Sequence, residues 1–238
     1  MTTVLILGSG PNVLDARAWP RARFDHILAI NNAFAVRPDW DSLIHPEDFD
    51  PDRLPQHLEA GQSIVTAADY VPAQNAYGGF VYAGGTMAFT AGYWALAHHR
   101  PTCLAFMGCD MTYPPGGETH FYGTGAADPL RDDITLQSLE AKSARLEILA
   151  AKQGCAAVNL SQDDSRLVFP RGDAFTLGDK APRRFDDAAV RAALQREETL
   201  GYLAPSGRYW EALDRFDPAA LADLDALWLA AAGSSRDT

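Results

Sequence analysis

The sequence predicts a doubly wound α/β fold with a mostly parallel, Rossmann-like sheet and a C-terminal helical extension. Short apolar runs alternate along the chain with longer helical patterns, which is typical of a parallel sheet covered on both faces. The 238 residues are 47% hydrophobic, which suits a large domain with its own core. The composition shifts after about residue 170. We therefore expect a Rossmann-like domain over 1–170 and, over 171–238, a helical extension that packs on the same domain.

Six apolar runs are predicted as strands because each is short and ends at a glycine or a polar residue. They cover residues 4–7, 27–30, 42–44, 63–66, 103–107 and 156–160. The runs at 4–7, 27–30, 103–107 and 156–160 are expected to be parallel members of one sheet, since helical crossovers separate them. A loop rich in glycine and proline is predicted over 112–128.

Helices are predicted where alanine, leucine and charged residues recur with helical spacing. They cover residues 87–98, 136–153, 188–200, 209–215 and 218–232. Gly154 is expected just beyond the C-terminus of the second of these helices. Asp217 is expected to cap the last one, with Pro218 at its first position. The tail over 233–238 is expected to be frayed.

Charge and hydropathy exclude several classes of protein. The chain carries 31 acidic against 20 basic residues, a net charge of -11, and it has no dense Lys/Arg run, which argues against a nucleic-acid binder. Its apolar fraction argues against disorder. No apolar stretch approaches the ~20 residues that a membrane helix needs. The opening MTTVLILGSG lacks the basic segment and cleavage site of a signal peptide, and it is predicted as a buried strand.

The cysteines indicate a reducing compartment. Cys103, Cys109 and Cys155 form no close metal-type pair, and at least one of them has no cysteine partner. A reduced, cytoplasmic enzyme is the class that fits this usage best. The sequence leaves open whether the chain forms a homo-oligomer.

The first candidate site is the turn after the first strand, which contains Gly8, Ser9, Gly10 and Asn12. Ligands of open parallel sheets bind beyond the carboxyl ends of the strands. Such a turn lets the backbone approach a ligand and leaves free N–H groups near a helix N-terminus, where phosphate is favoured. The alternative is a tight turn that needs glycine for structural reasons alone.

Two departures argue against a nicotinamide dinucleotide site. Residue 13 is Val, so the motif G-x-G-x-x-G is incomplete. Asn31 and Asn32 follow the second strand, where a dinucleotide site has an acidic residue for the ribose. Their amides remain able to bind a ribose or the edge of a base.

A second phosphate-type turn, which contains Gly85 and Thr86, opens the helix over 87–98. Helix N–H groups and a hydroxyl at this place can hold a phosphate or a carboxylate. The alternative is that the glycines only allow the helix to pack closely on the sheet.

Among the six histidines, His120 is the candidate general base, because it follows the strand end at Asp110 and because imidazole is the best proton acceptor at neutral pH. The alternative is an inert surface histidine. Asp110 is the second candidate catalytic residue, expected to orient the loop or a hydroxyl. His45 is a candidate for lining the pocket. The other histidines, His26, His57, His98 and His99, are expected to be solvated.

Metal, serine-hydrolase and P-loop chemistry have weaker support in the sequence. There is no H-E-x-x-H motif, no G-x-S-x-G elbow and no P-loop. The acidic segment over 47–52 is interpreted as a capped, solvated loop. No metal ligand and no resident cofactor is therefore expected.

Several of these segments, in this order, resemble bacterial lipooligosaccharide sialyltransferases (glycosyltransferase family 42). The resemblance covers roughly 3–170. It comprises the opening strand with G-S-G-P-N, the segment A-I-N-N-A-F, the helix opened by G-G-T, the strand ending in G-C-D and the segment H-F-Y-G. The opening also resembles the related hydroxymethylpterin pyrophosphokinase-like family.

The resemblance implies transfer of a sialic-acid-like sugar from a CMP-type nucleotide donor to a hydroxyl acceptor, without metal. It implies that His120 is the general base, that Asn31 contacts the nucleotide, and that Tyr113 and Tyr122 are candidates for stabilising the leaving phosphate. This chain departs from the family because only residues 114–119 separate the strand-end segment from the histidine, where the sialyltransferases insert a lid. The C-terminal helices are candidates for replacing that lid.

Two other functions stay open. A (di)phosphoryl transferase of the pterin pyrophosphokinase-like type would need Mg²⁺, with Asp110 and Glu118 as candidate ligands. A nucleotide- or glycan-binding module without catalysis is the third possibility. In each case the partner is a small molecule.

Overall fold

A computed structural model describes residues 2–113 and 116–233 and shows a six-stranded, all-parallel sheet. The strands are β1 Thr3–Leu7, β2 His26–Ile30, β3 Ser42–Ile44, β4 Ser63–Val65, β5 Cys103–Met107 and β6 Ala156–Asn159. The doubly wound α/β class and the parallel arrangement predicted from the sequence are confirmed. Residues 114 and 115 of the predicted loop, and 234–238 of the tail expected to be frayed, lie outside the described residues.

The strand order is β4-β3-β2-β1-β5-β6. Leu5 of β1 is therefore paired with Ile27 of β2 on one side and with Ala105 of β5 on the other. The chain winds outward from β1 in one direction and from β5 in the other. The ends of β1 and β5 form a topological switch point, where ligands of open α/β sheets bind.

Helices cover the sheet. They are α1 Ala67–Ala76, α2 Phe80–Ala83, α3 Met87–His99, α4 Leu139–Lys152, α5 Asp187–Leu200 and α6 Pro218–Gly233. Helix α4 begins three residues later than predicted because the hydroxyl of Ser138 caps it, accepting from the N–H of Ala141 at 3.1 Å. The segment Tyr209–Arg215 is a 3₁₀ helix with a kink at Ala212.

The predicted end signals at Gly154 and Asp217 are confirmed, but two helices were missed. Gly154 follows α4 with φ +76°, and Asp217 accepts a hydrogen bond from Ala219 at the start of α6. Neither α1 nor α2 shows a recognised helical pattern in the sequence. Pro72 lies inside α1, where proline is disfavoured, and that helix is held by tertiary packing on α3.

The two faces of the sheet bury separate apolar layers. Along β1, Val4 and Ile6 belong to the layer beneath the α-helices, whereas Leu5 and Leu7 belong to the opposite layer. This alternation is the two-residue period of a strand. The chain after residue 170 contributes to both layers: Trp228 of α6 lies in the helical layer and Leu177 in the opposite one.

A buried ionic network attaches α5 and α6 to α4. The guanidinium of Arg145 donates to both carboxylate oxygens of Glu197, at 2.6 and 2.8 Å, and to the hydroxyl of Tyr93 at 2.8 Å. The indole N–H of Trp228 donates to the same carboxylate at 2.9 Å. These charges are almost fully buried, and the sequence patterns did not predict them. Across the described residues, no helix combines the length and apolar character needed to cross a membrane.

Candidate functional site

A cleft of about 1270 Å³ opens at the carboxyl edge of the sheet, over the switch point between β1 and β5. Ten of the twelve residues predicted for the site line it. They are Gly8, Ser9, Gly10, Asn12, Asn31, Gly85, Thr86, Asp110, Tyr113 and His120. Asn32 and Tyr122 do not line it. Residues far apart in sequence thus meet at one place.

The glycines of the first turn pack against the end of β5, as the structural alternative for this turn expects. The N–H of Gly8 donates to the carbonyl of Met107 and that of Gly10 to the carbonyl of Gly108, both at 2.8 Å. A Cβ on Gly8 would overlap the carbonyl of Gly108, and one on Gly10 would lie 3.0 Å from the same oxygen. A 3₁₀ helix follows, over Pro11–Ala18. The two glycine N–H groups are therefore committed, and they are not free for a phosphate.

Asn12 is the centre of a polar network at the floor of the cleft. Its Nδ2 lies 2.7 Å from Asp110 Oδ2, 2.8 Å from Ser161 Oγ and 2.9 Å from Asp163 Oδ2, so three acceptors share its two N–H donors. Asp110 is buried, and its other oxygen accepts from Asn159 at 3.3 Å. Asn12 Oδ1 is buried and has no partner among the described residues. Asp110 thus orients the amide of Asn12.

Asn31 presents a second buried amide oxygen without a partner. The residue follows β2 with φ +53°, a left-handed conformation that asparagine tolerates better than most residues. Its Oδ1 is buried and unpartnered within the described part of the chain. Buried polar atoms nearly always have a hydrogen-bond partner. Since Asn31 lines the cleft, its amide is a candidate acceptor for a bound molecule.

The N-terminus of α3 meets the cleft through Gly85, Thr86, Met87 and Ala88. The hydroxyl of Thr86 caps the helix by accepting from Phe89 N–H at 3.4 Å. The N–H groups of Met87 and Ala88 have no hydrogen-bond partner in 2–113 or 116–233. A helix end of this kind favours an anion.

Gly85 has a packing role of its own. Its N–H donates to Thr135 Oγ1 at 2.9 Å, and a Cβ there would lie 2.5 Å from the hydroxyl of Tyr209. The two interpretations of this turn therefore concern different atoms. Met87 and Ala88 line the cleft with N–H groups that lack a partner among the described residues, whereas Gly85 leaves room for the hydroxyl of Tyr209.

His120 has one ring nitrogen bonded and the other without a partner among the described residues. Its Nδ1 lies 2.8 Å from Thr119 Oγ1, and that hydroxyl also accepts from Gly125 N–H at 2.7 Å. When Nδ1 carries the proton it donates to Thr119, whose own proton reaches the carbonyl of Gly125 at 3.2 Å. Nε2 then keeps its lone pair, as a general base requires.

Burial lowers the pKa of His120 below the usual 6.5, and the charge of Arg53 adds to this effect, while Asp128 opposes it. The imidazole is therefore neutral at pH 7. A neutral imidazole that faces a cleft is ready to accept a proton.

The two candidate tyrosines have different positions. Tyr113 lines the cleft, with its ring 6.2 Å from that of His120, and burial raises its pKa to about 12. It remains a hydrogen-bond donor at neutral pH. Tyr122 is exposed and stacks on the ring of His120 at 5.0 Å, so it supports the histidine from outside the cleft.

The histidine environments correct two expectations. His45 does not line the cleft; its neighbours Pro46, Glu47 and Asp48 do. His26 and His99 are not freely solvated. Their rings lie 4.0 Å apart beside Trp94, at the amino edge of the sheet, away from the cleft. His57 and His98 are exposed as expected.

Sequence reasoning missed one wall of the cleft, formed by residues 206–210 between α5 and α6. The carbonyl of Pro205 accepts from Asn75 at 2.8 Å, and Arg208 reaches Glu47 at 3.5 Å. The adjacent aromatic residues Tyr209 and Trp210 were the sequence feature that indicated a binding surface in this segment. The wall thus includes the start of the predicted helix over 209–215, whereas no described residue of α5 or α6 lines the cleft.

The cleft is acidic. Its described lining includes eight carboxylates, those of Glu47, Asp48, Asp110, Glu118, Asp128, Asp133, Asp163 and Asp164. Three guanidinium groups also line it, and each is paired with a carboxylate: Arg131 with Asp133, Arg166 with Glu140 and Arg208 with Glu47. Among the described residues no three His, Cys, Asp or Glu side chains are arranged to hold a metal ion.

Comparisons of this chain with family models, with curated proteins and with solved structures return no match.

Proposed function

We propose that this protein transfers a glycosyl group from a CMP-type nucleotide donor to a hydroxyl acceptor, with His120 as the general base. One observation carries the proposal. The cleft brings together three features: His120, whose Nε2 has no partner among the described residues; Asn12 and Asn31, whose buried amide oxygens lack donors there; and the N-terminus of α3. The resemblance to the sialyltransferases agrees with this grouping.

The donor is held by the groups that lack partners. The N–H groups of Met87 and Ala88 suit a phosphate, because the helix dipole adds positive potential at that end. The amide oxygens of Asn31 and Asn12 accept from ribose hydroxyls or from an exocyclic amine of the base. A nucleotide carries a phosphate anion for the helix N–H groups and several N–H or O–H donors for the two amide oxygens.

The reaction then needs one proton acceptor. The hydroxyl oxygen of the acceptor forms a bond to the anomeric carbon as the bond from that carbon to the donor phosphate breaks. The hydroxyl proton passes to Nε2 of His120, and the electron pair of the broken bond leaves with the phosphate. The protonated phenol of Tyr113 is placed in the same cleft to donate a hydrogen bond to the leaving group. The unpaired, buried cysteines favour a cytoplasmic location for this chemistry.

A second candidate function follows from the acidity of the cleft. Mg²⁺ is held by one or two carboxylates together with substrate phosphates, so a nucleotide–Mg²⁺ complex would need no complete protein cage. Asp110 and Glu118 both line the cleft. A Mg²⁺-dependent (di)phosphoryl transferase is therefore the alternative, and a non-catalytic binding module is the remaining one.

A thermal-shift screen distinguishes these functions. CMP, CDP, UDP, GDP and ATP are tested with and without Mg²⁺. A ligand at 100-fold over its dissociation constant stabilises the folded state by ~2.7 kcal/mol. We expect CMP to raise the melting temperature without Mg²⁺. A shift that appears only with Mg²⁺ favours the phosphoryl transferase, and CMP binding without turnover favours the binding module.

Asn31→Gly provides the matched test, because glycine keeps the positive φ while the orphan amide is removed. We expect it to weaken CMP binding about tenfold, since a hydrogen bond to a buried group is worth about 1 kcal/mol or more. The control is Asn32→Ala at the neighbouring position outside the cleft. Equal CMP affinity in both variants and the native protein would contradict the proposed donor site.

A further inference from the structure

We propose that Trp210 forms the base of an acceptor subsite in the cleft, on which a neutral or amino-substituted sugar ring stacks. This inference rests on the proposed function, because it names the acceptor class for the same site. It concerns the wall over 206–210, which lies outside the part of the chain that carries the family resemblance.

Trp210 has the exposure of an unoccupied binding surface. Its side chain is 54% exposed although the residue lines the cleft. The ring of Tyr209 meets the indole edge-to-face, with centroids 5.3 Å apart, and does not lie stacked parallel on it. Large aromatic rings in clefts supply contact area for ligands at little entropic cost. A sugar ring has an apolar C–H face of matching size.

The rest of the wall holds this ring in place. Tyr209 is buried, and its hydroxyl donates to Asp133 Oδ2 at 2.7 Å and accepts from Arg131 at 3.3 Å. Arg131 also donates to the carbonyl of Gly85 at 2.9 Å. The wall is thus fixed beside the N-terminus of α3, next to the proposed position of the donor phosphate.

The charge of the cleft selects the class of sugar. Eight carboxylates face three guanidinium groups, each already paired with a carboxylate. Glu47, which Arg208 contacts, and the neighbouring Asp48 lie at the same wall. At the donor position the N-terminus of α3 supplies positive potential for the phosphate, whereas Glu47 and Asp48 at the wall accept hydrogen bonds from sugar hydroxyls, attract ammonium groups and repel an acidic acceptor sugar. The acceptor is therefore neutral or cationic.

The experiment measures binding of three probes to the full chain by saturation-transfer NMR titration. The probes are methyl galactoside, galactosamine and galacturonate. We expect the first two to bind and galacturonate to bind at least tenfold more weakly. Trp210→Ala should weaken both binding probes about tenfold, the scale of a stacked aromatic contact, while Trp210→Phe retains most of the affinity.

Two controls separate this inference from the proposed function. Leu213→Ala removes another exposed apolar side chain of the same 3₁₀ helix that does not line the cleft, and it should leave sugar binding unchanged. CMP affinity is measured on every variant and should be unchanged in Trp210→Ala. Three results would contradict the acceptor subsite while leaving the donor site in place. They are CMP binding without sugar binding, strongest binding of galacturonate, and a Trp210→Ala variant that loses affinity for CMP but not for the sugars. If sugars bind as expected and CMP does not, the donor assignment fails alone.

Discussion

The backbone N–H of Phe121 donates a hydrogen bond to the carbonyl oxygen of Ser9 at 3.0 Å. This bond attaches the histidine loop to the turn after β1, across more than a hundred residues of sequence. The loop is closed on itself by the reciprocal backbone bonds between His120 and Gly123, at 2.9 and 3.0 Å. The ring of His120 is therefore held at the switch point of the sheet by backbone geometry.

His120→Ala should lower turnover by roughly 10²–10⁴-fold, the usual contribution of a positioned proton acceptor. CMP affinity should change little, because the proposed base acts on the acceptor hydroxyl. Turnover of the native protein should rise with pH through a limb below pH 6.5, since burial lowers the pKa of His120. That limb should be absent in the variant. Steady-state rates across pH 4.5–8 and CMP titrations provide the measurement.

The control for this prediction is His57→Ala, a change at an exposed histidine outside the cleft. It should leave turnover and its pH profile unchanged. If His120→Ala lowers the melting temperature and CMP affinity together, the histidine has a structural role in its loop. Asp110 is then the next candidate for the base.

Gly8→Ala should destabilise the fold by about 1–3 kcal/mol, the usual cost of forcing extra atoms into a packed region. The added Cβ would lie 2.6 Å from Cys109 Sγ and would overlap the Gly108 carbonyl. Gly10→Ala should cost less, because its Cβ would lie 3.0 Å from that oxygen. Urea unfolding of the three proteins measures the free energies.

Gly233→Ala serves as the matched control, since no atom of the described residues lies within 4 Å of a Cβ at that position. It should leave stability unchanged or slightly higher. A Gly8→Ala protein of native stability would restore a ligand-binding role for the first turn.

Glu197→Gln should destabilise the fold by about 3–5 kcal/mol, because it leaves the buried guanidinium of Arg145 without its counter-charge. The neighbouring Glu198→Gln, at an exposed position of α5, should change stability by less than about 0.5 kcal/mol. Denaturant unfolding of both variants checks the difference. Equal stability of the two would show that α5 is attached by apolar contacts alone.

Lowering the pH should weaken the native state through His99. Burial, with the neighbouring His26 and His98, lowers the pKa of His99 to about 4, although the charge of Asp41 opposes this. The unfolded chain takes up a proton near pH 6.5 and the folded chain only near pH 4. The contribution of His99 to stability is therefore complete above pH 6.5 and is lost as the pH falls towards 4.

The measurement compares melting temperatures of the native protein and His99→Gln between pH 7.5 and 4. Relative to the variant, the native protein should lose stability as the pH falls below 6.5. His57→Gln, at an exposed position, should follow the native protein at every pH. Parallel curves for native and His99→Gln proteins would contradict this linkage.

The sequence predicted the elements whose signals are local. Apolar runs such as 103–107 and stop signals such as Gly154 depend on residues a few positions apart, and the strands agreed with prediction to within about one residue at each end. Helix α1 was not predicted because Pro72 interrupts its helical pattern. Its packing on α3 stabilises the helix instead.

The candidate site divides in the same way. Parallel strands bring their carboxyl ends to one edge, so a sequence with strands ending at Gly8, Asn31 and Asp110 already indicates where these residues meet. The sequence does not indicate which polar atoms at this edge lack hydrogen-bond partners. The N–H groups of Gly8 and Gly10 are bonded to the end of β5, whereas the amide oxygens of Asn12 and Asn31 are left without donors.

The sequence by itself determined the parallel sheet and the residues that follow each strand, because these depend on periodicity and on chain connectivity. Only the tertiary structure decided the wall at Trp210, the buried pair of Arg145 and Glu197, and the half-buried state of His99. Each of these depends on segments fifty or more residues apart being placed within a few ångströms. Hydrogen bonds and desolvation act at such distances, and no local pattern of residues records them.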